Sequence, residues 1–169
     1  MVSRPEVATL RRRALLAGLG ANAIGGGVAR GLAVGIVVAA VSMFFADLHW
    51  RHPLVTLAVI VLTSVLFALA GLINGIFAKS FDDISIIPTF VLTPLIYLGG
   101  IFYSIKMLPP FWQDVSLLNP ILYMIDAFRF GILGVSNIDV RVAFAIILLF
   151  VVALFGYSLW LLRRGTGIR

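Results

Sequence analysis

Few side chains in this sequence could do chemistry, and their spacing decides what kind. Asp47, His49 and His52 share one short turn and offer carboxylate and imidazole ligands to a metal ion, although two histidines three apart in a polar turn also read simply as loop residues. Asp82 and Asp83 are adjacent, which suggests acid chemistry. Carboxylates at the start of a helix more simply cap it and are favoured by its dipole. Asp126 and Arg129 stand three apart, close enough on a helix to form an ion pair, the alternative being two separately solvated charges. The sequence contains no GxxxxGK[ST] phosphate loop, GxSxG, HExxH or pair of membrane-embedded aspartates. ATP hydrolysis by this polypeptide is thereby excluded, and an intramembrane enzyme lacks a nucleophile and base. With no Cys, disulfides, thiolate metal sites, thiol nucleophiles and S-palmitoylation are excluded as well.

The elements that position these residues are apolar. Of 169 residues 62% are hydrophobic and 12% charged, and the mean hydropathy is +1.12, far from soluble usage. Runs of the length needed to cross a hydrocarbon core, separated by short polar breaks, predict an integral membrane protein in contact with the lipid bilayer. Spans are expected at about 28–48, 54–77, 84–105 and 142–162. A basic, Gly-rich lead-in (1–27) comes before them and a short tail (165–169) after. The stretch 14–27, with Gly18, Gly20 and Gly25-Gly26-Gly27, is a poor helix by itself, yet its small residues suit close helix packing. Gly71 and Gly75, one turn apart, form a GxxxG-type pair. Arg30, one turn into the first span, is placed to snorkel to the interface or to face protein.

The net charge of +6 does not point to nucleic acid, because the basic residues cluster at the ends of apolar runs. Four spans put both termini on one side. That side then carries Arg4, Arg11, Arg12, Arg13, Lys79, Arg163, Arg164 and Arg169, and the opposite side carries Arg51, Lys106, Arg129 and Arg141. The excess predicts cytoplasmic termini. It also argues against a cleaved secretory signal, which RRRALL and the small residues Ala21-Asn22-Ala23 could otherwise suggest.

The stretch 86–131 departs from a plain span. Pro88 and Pro94 each remove an amide donor, so the third span should be kinked or loosened, with freed carbonyls satisfied by neighbours or water. Gly99 and Gly100 follow near its end. Beyond Lys106, Pro109 and Pro110 open a short apolar-sided helix, and Asn119-Pro120 opens an amphipathic or re-entrant one carrying Asp126, Arg129 and Gly131. Together they predict a hairpin at about 107–134. Tyr97, Tyr103, Trp112, Tyr123 and Trp160 read as interface anchors.

The string from Pro88 to Gly134, PTFVLTPLIYLGGIFYSIKMLPPFWQDVSLLNPILYMIDAFRFGILG, resembles the C-terminal half of the type-2 ATP-binding-cassette (ABC) export permeases. The resemblance is carried by Pro88, Pro94, Gly99-Gly100, Pro109-Pro110, Asn119-Pro120, Arg129 and Gly131, and GGVARGLAVG around Arg30 adds to it. It implies an all-α membrane protein with four transmembrane helices, the family's third to sixth spans, and an extracellular or periplasmic re-entrant helical hairpin before the last one. It further implies a multi-pass permease subunit of the bacterial inner membrane that pairs as a homodimer or heterodimer. A separate ABC ATPase subunit would hold ATP and Mg, leaving no cofactor in this chain. Candidate gating or structural roles fall on Pro88, Pro94, Gly99, Gly100, Pro109, Pro110, Asn119, Pro120, Arg129 and Gly131, which carry the resemblance, and on Asp126 through its spacing from Arg129. Nothing in the sequence matches the family's first two spans, so a truncated or shifted reading of a longer permease is expected. A non-transporting four-span scaffold is the alternative function.

Overall fold

The structure, a computed structural model, describes residues 4–45, 51–101 and 105–164. All regular structure among them is helical. Helix α1 (Arg4–Phe45) runs unbroken through the glycine-rich stretch that propensity alone marks as a weak lead-in. Packing supplies what propensity lacks. Gly27, Gly31 and Gly35, spaced one turn apart, face helix α2 (Pro53–Phe77), the two helices running antiparallel. A Cβ at Gly27 would lie 2.9 Å from the Cβ of Ala68, one at Gly31 2.8 Å from Ser64 Oγ, and one at Gly35 3.6 Å from Ile60 Cγ2. In lipid, where apolar burial drives little, such backbone approach is a main source of helix association. Gly20 meets Leu162 on helix α7 (Val140–Arg164) in the same way. At Gly71 and Gly75, by contrast, an added Cβ would meet no other element within 4 Å among the described residues.

Helices α2 and α7 and the segment Gly20–Phe44 of α1 are long and apolar enough to cross a membrane. Arg30 is exposed and lies well inside that segment, because the apolar run begins earlier than 28. The third expected span is helical without a gap from 81 to 98, but irregular. It consists of α3 (Phe81–Ile87), a π-helical turn (Pro88–Leu92) and α4 (Thr93–Leu98), and it ends at Gly99-Gly100 rather than continuing to 105. Gly100 closes it with φ +74°, a left-handed conformation open to glycine. A short 3-10 turn (Ile105–Met107) precedes α5 (Pro110–Leu117) and α6 (Pro120–Leu133), which meet at 85°.

The core is built around α6. Leu122, Tyr123, Met124 and Ala127 pack with Val59 and Leu66 of α2 and with Ala143 and Ile147 of α7. Half of the hairpin is thus buried between two spans, not laid along a bilayer surface as an amphipathic helix would be. Tyr123 is buried with it, and its hydroxyl donates to the Leu117 carbonyl at 2.7 Å, so it is no interface anchor. Trp112 and Trp160 remain partly exposed. Tyr103, Trp50, Asp47 and His49 lie outside the described residues.

Candidate functional site

The broken third helix is the feature from which a site can be built. At three places where its own hydrogen-bond ladder fails, a side chain from another element meets it. Pro88 has no N–H to give to the Ile84 carbonyl four residues back. That carbonyl instead accepts from Asn74 Nδ2 of α2 at 3.0 Å. At the far end, the Gly99 amide turns to the Ile96 carbonyl at 3.1 Å, which strands the Leu95 carbonyl. Asn119 Nδ2 takes it at 2.6 Å. One step further, a terminal guanidinium nitrogen of Arg129 donates to the Gly100 carbonyl at 3.1 Å. Within the break, Thr93 Oγ1 reaches the Pro88 carbonyl at 3.5 Å, the outer limit for such a bond. A helix with irregular backbone at membrane depth needs such partners, and here two carboxamides and a guanidinium supply them.

Asn119 serves two helices at once. Its Nδ2 group ties down α4, while its Oδ1 accepts the Ile121 amide at 3.0 Å and so caps α6, with Pro120 in the first turn. The carboxamide offers a donor and an acceptor on separate atoms, and at 2% exposure it has no water to fall back on. Gly99 lets α4 and α6 approach. A Cβ there would come 2.9 Å from Ile125 Cδ1 and 3.0 Å from Ile121 Cγ2.

Asp126 and Arg129 do not pair with each other. The guanidinium goes to α4, as above, whereas the Asp126 carboxylate gathers the loop between α6 and α7. It accepts from the Ser136 hydroxyl at 2.6 Å, the Asn137 amide at 3.1 Å and the Ile138 amide at 2.9 Å. Asp126 is 3% exposed, so neither an exposed ion pair nor a solvated charge describes it. A buried carboxylate is tolerable when several donors surround it, and this one organises a loop that has no ladder of its own. Its spacing from Arg129 suggested the wrong partner, because helix periodicity brings two charges near each other but does not say what else reaches them.

The remaining residues singled out by sequence hold the hairpin in place. Pro109 accepts the Trp112 and Gln113 amides, and Pro110 occupies the first turn of α5. Gly131 lies directly against Thr56 at the start of α2, where a Cβ would collide with both hydroxyl and backbone. There the ends of two helices complete one another: the Gly131 and Ile132 carbonyls of α6 accept the His52 and Arg51 amides, at 2.9 and 3.4 Å. The His52 ring stacks on Phe130, with centroids 4.7 Å apart. Gly134, at φ +73°, ends α6 beneath the Arg51 stem. Asp83 completes a capping box with Ser80 at the start of α3. The Lys79 amide, aided by Ser80, holds its carboxyl below the ordinary 3.8. No cluster of three or more potential metal ligands occurs among the described residues.

Asn74 was missed by sequence reasoning. Its signal was a lone amide near the end of an otherwise apolar span, ten residues before the carbonyl that Pro88 frees.

Beside the broken helix runs an apolar groove of about 680 Å³ between α1, α2, α4 and α6, edged by Gly35, Val38, Thr63 and Ile125.

Similarity to known proteins places this architecture. The chain is 54% identical over 149 residues to the inner membrane transport permease YadH of Escherichia coli (strain K12), a match covering 88% of this chain and 58% of that protein. It is 31% identical over 134 residues to nodulation protein J of Rhizobium leguminosarum bv. viciae, covering 79% of this chain and 50% of that one. No solved structure matches. The chain therefore spans between half and about three-fifths of the length of these relatives. Residues 16–133, which hold α2, the irregular third helix and both hairpin helices, match the family described as ABC-2 type transporter, and the chain belongs to that family.

Proposed function

We propose that the chain forms part of the substrate pathway of an exporter in a bacterial inner membrane, with both termini cytoplasmic and two permease subunits paired. A separate ABC ATPase subunit, holding ATP and Mg, would drive it. The observation that carries this reading is the third helix, loosened into a π-helical turn between Pro88 and Pro94 and tied by side chains to α2 and to the hairpin. Side-chain ties can exchange partners while a continuous α ladder cannot, so this helix can shift between two arrangements without leaving carbonyls unpaired in lipid. A scaffold subunit could use the same apolar spans without such a break. The resemblance to YadH, whose name records transport, supports the same direction.

The test is ATP hydrolysis in proteoliposomes. The permease, containing this chain, is reconstituted with an ATPase subunit that carries a phosphate loop. Hydrolysis should exceed that of the ATPase alone, and the Pro88→Ala/Pro94→Ala double variant should lower the stimulated rate about tenfold, equivalent to about 1.4 kcal/mol on the barrier. Failure of the two subunits to co-purify would favour the scaffold. An unchanged rate in the double variant would remove the moving-helix argument.

A further inference from the structure

Arg164, in the last turn of α7, rests on an aromatic ledge. Its guanidinium carbon lies 3.9 Å from the centroid of the Trp160 ring, which stacks in turn on Tyr157 with centroids 5.8 Å apart and planes 19° from parallel. Both rings are 44% exposed. A guanidinium held over a ring face keeps N–H groups at its edge free, and that planar fork suits a phosphate. No carboxylate among the described residues pairs with Arg164 or with its neighbour Arg163. The charge is thus positioned but unmatched. Apolar surface continues from the ledge into the span. Val152, Gly156, Trp160 and Arg164 follow one another a turn apart along an exposed ridge, whereas Ala143, Ile147, Ser158 and Leu161 form the buried side of α7. A Cβ added at Gly156 would meet nothing within 4 Å, so the ridge has a notch one turn beneath Trp160. The start of α1 reaches the same end of the bundle, since Gly20 meets Leu162, and Arg11, Arg12 and Arg13 stand about two turns before Gly20 on that helix.

We propose that this ridge binds one anionic glycerophospholipid. Its phosphate takes the free edge of Arg164, and an acyl chain runs past Trp160 into the notch at Gly156. Charge complementarity selects the anionic headgroup, and the apolar ridge beneath the charge selects a lipid over a free phosphate or an acidic protein surface. On the orientation proposed above, the lipid belongs to the inner leaflet. The site depends on α7 spanning the membrane and not on export. Loss of ATPase coupling would leave it standing, and its own failure would leave the coupling untouched.

The experiment is quenching of Trp160 fluorescence by brominated lipid. The chain with Trp50→Phe and Trp112→Phe, which keeps Trp160 as its one tryptophan, is reconstituted in vesicles of dioleoylphosphatidylcholine. These contain rising fractions of phosphatidylglycerol with dibrominated acyl chains, or of phosphatidylcholine with the same chains. The relative binding constant should favour phosphatidylglycerol about fivefold, as for about 1 kcal/mol from one arginine at a membrane surface. Arg164→Gln should bring the two lipids within about twofold of each other, whereas Arg163→Gln, which removes the same charge from the same turn, should keep the preference. Gly156→Leu, with room for its Cβ, fills the notch and should weaken quenching by phosphatidylglycerol about threefold although Arg164 is intact. Circular dichroism checks that each variant keeps its helices. Equal loss in Arg163→Gln and Arg164→Gln would reduce the effect to diffuse attraction of basic residues to an anionic surface and overturn the site. Equal quenching by both lipids in the parent chain, or displacement of phosphatidylglycerol by inorganic phosphate at constant ionic strength, would do the same. An Arg164→Gln chain that keeps its lipid preference but no longer co-purifies with an ATPase subunit would assign the arginine to that protein instead.

Discussion

At the scale of single residues, the chain uses few polar side chains and gives several of them two tasks. Asn119 caps one helix while holding the end of another, and Asp126 replaces the missing ladder of a loop. Buried groups of this kind matter more through what their loss leaves behind than through the bonds themselves. Asp126→Ala would strand the Asn137 and Ile138 amides, each at a cost of about 1–3 kcal/mol. We expect a lower midpoint of thermal unfolding in detergent, with faster proteolysis confined to the 134–139 loop. Arg129→Gln should leave that loop intact, since its partner is the Gly100 carbonyl. Equal loop exposure in both variants would mean that the two side chains act together after all.

At the scale of elements, the informative relation is between Pro88 and Asn74. One removes a donor and the other, from a different helix, replaces it. The consequence is a coupling that can be measured. Asn74→Leu leaves the Ile84 carbonyl without its donor and should destabilise the protein by about 0.5–1.5 kcal/mol. In a Pro88→Ala background the restored amide can take that carbonyl, so the same Asn74→Leu change should cost clearly less. A double-mutant cycle on detergent unfolding measures the difference. Strict additivity would show that the two residues do not share this carbonyl. The packing of α1 on α2 obeys a similar logic. Small residues facing small residues bring two backbones together, and the amino acids concerned are Gly27, Gly31, Ser64 and Ala68.

At the scale of the whole molecule, α6 is the axis on which the rest is assembled, since α2, α4 and α7 all meet it. The hairpin is therefore part of the bundle, and displacement at its tip must be felt by α2 and the broken helix together. The absence of Cys makes topology easy to probe with single introduced thiols. With cytoplasmic termini, a Ser80→Cys thiol should react with a membrane-impermeant maleimide only after the cells are opened. A Val135→Cys thiol, exposed at the hairpin end, should react in intact spheroplasts. The reverse pattern would invert the orientation.

How much of this could be read from the residues alone follows from what each signal depends on. Composition and run length determined a multi-pass helical membrane protein, because lipid admits few ways to satisfy a backbone and hydropathy reports them directly. The prolines at 88 and 94 determined that the third span is loosened, which the structure shows as a π-helical turn at Pro88–Leu92, and Asn119-Pro120 determined where α6 starts, since both are local effects of φ and of missing donors. Partners were a different matter. Spacing brought Asp126 near Arg129, but the loop at 136–138 reached the carboxylate and Gly100 reached the guanidinium. Periodicity favoured Gly71 and Gly75, yet the contact formed through Gly27, Gly31 and Gly35, because which small stripe is used depends on the helix that comes to lie against it. The sequence left α6 open as an amphipathic or a re-entrant helix and read Tyr123 as an interface anchor, and only the bundle placed both in its core. Local chemistry is written in the chain, whereas the choice among distant partners is made by packing, where all candidates compete for the same space.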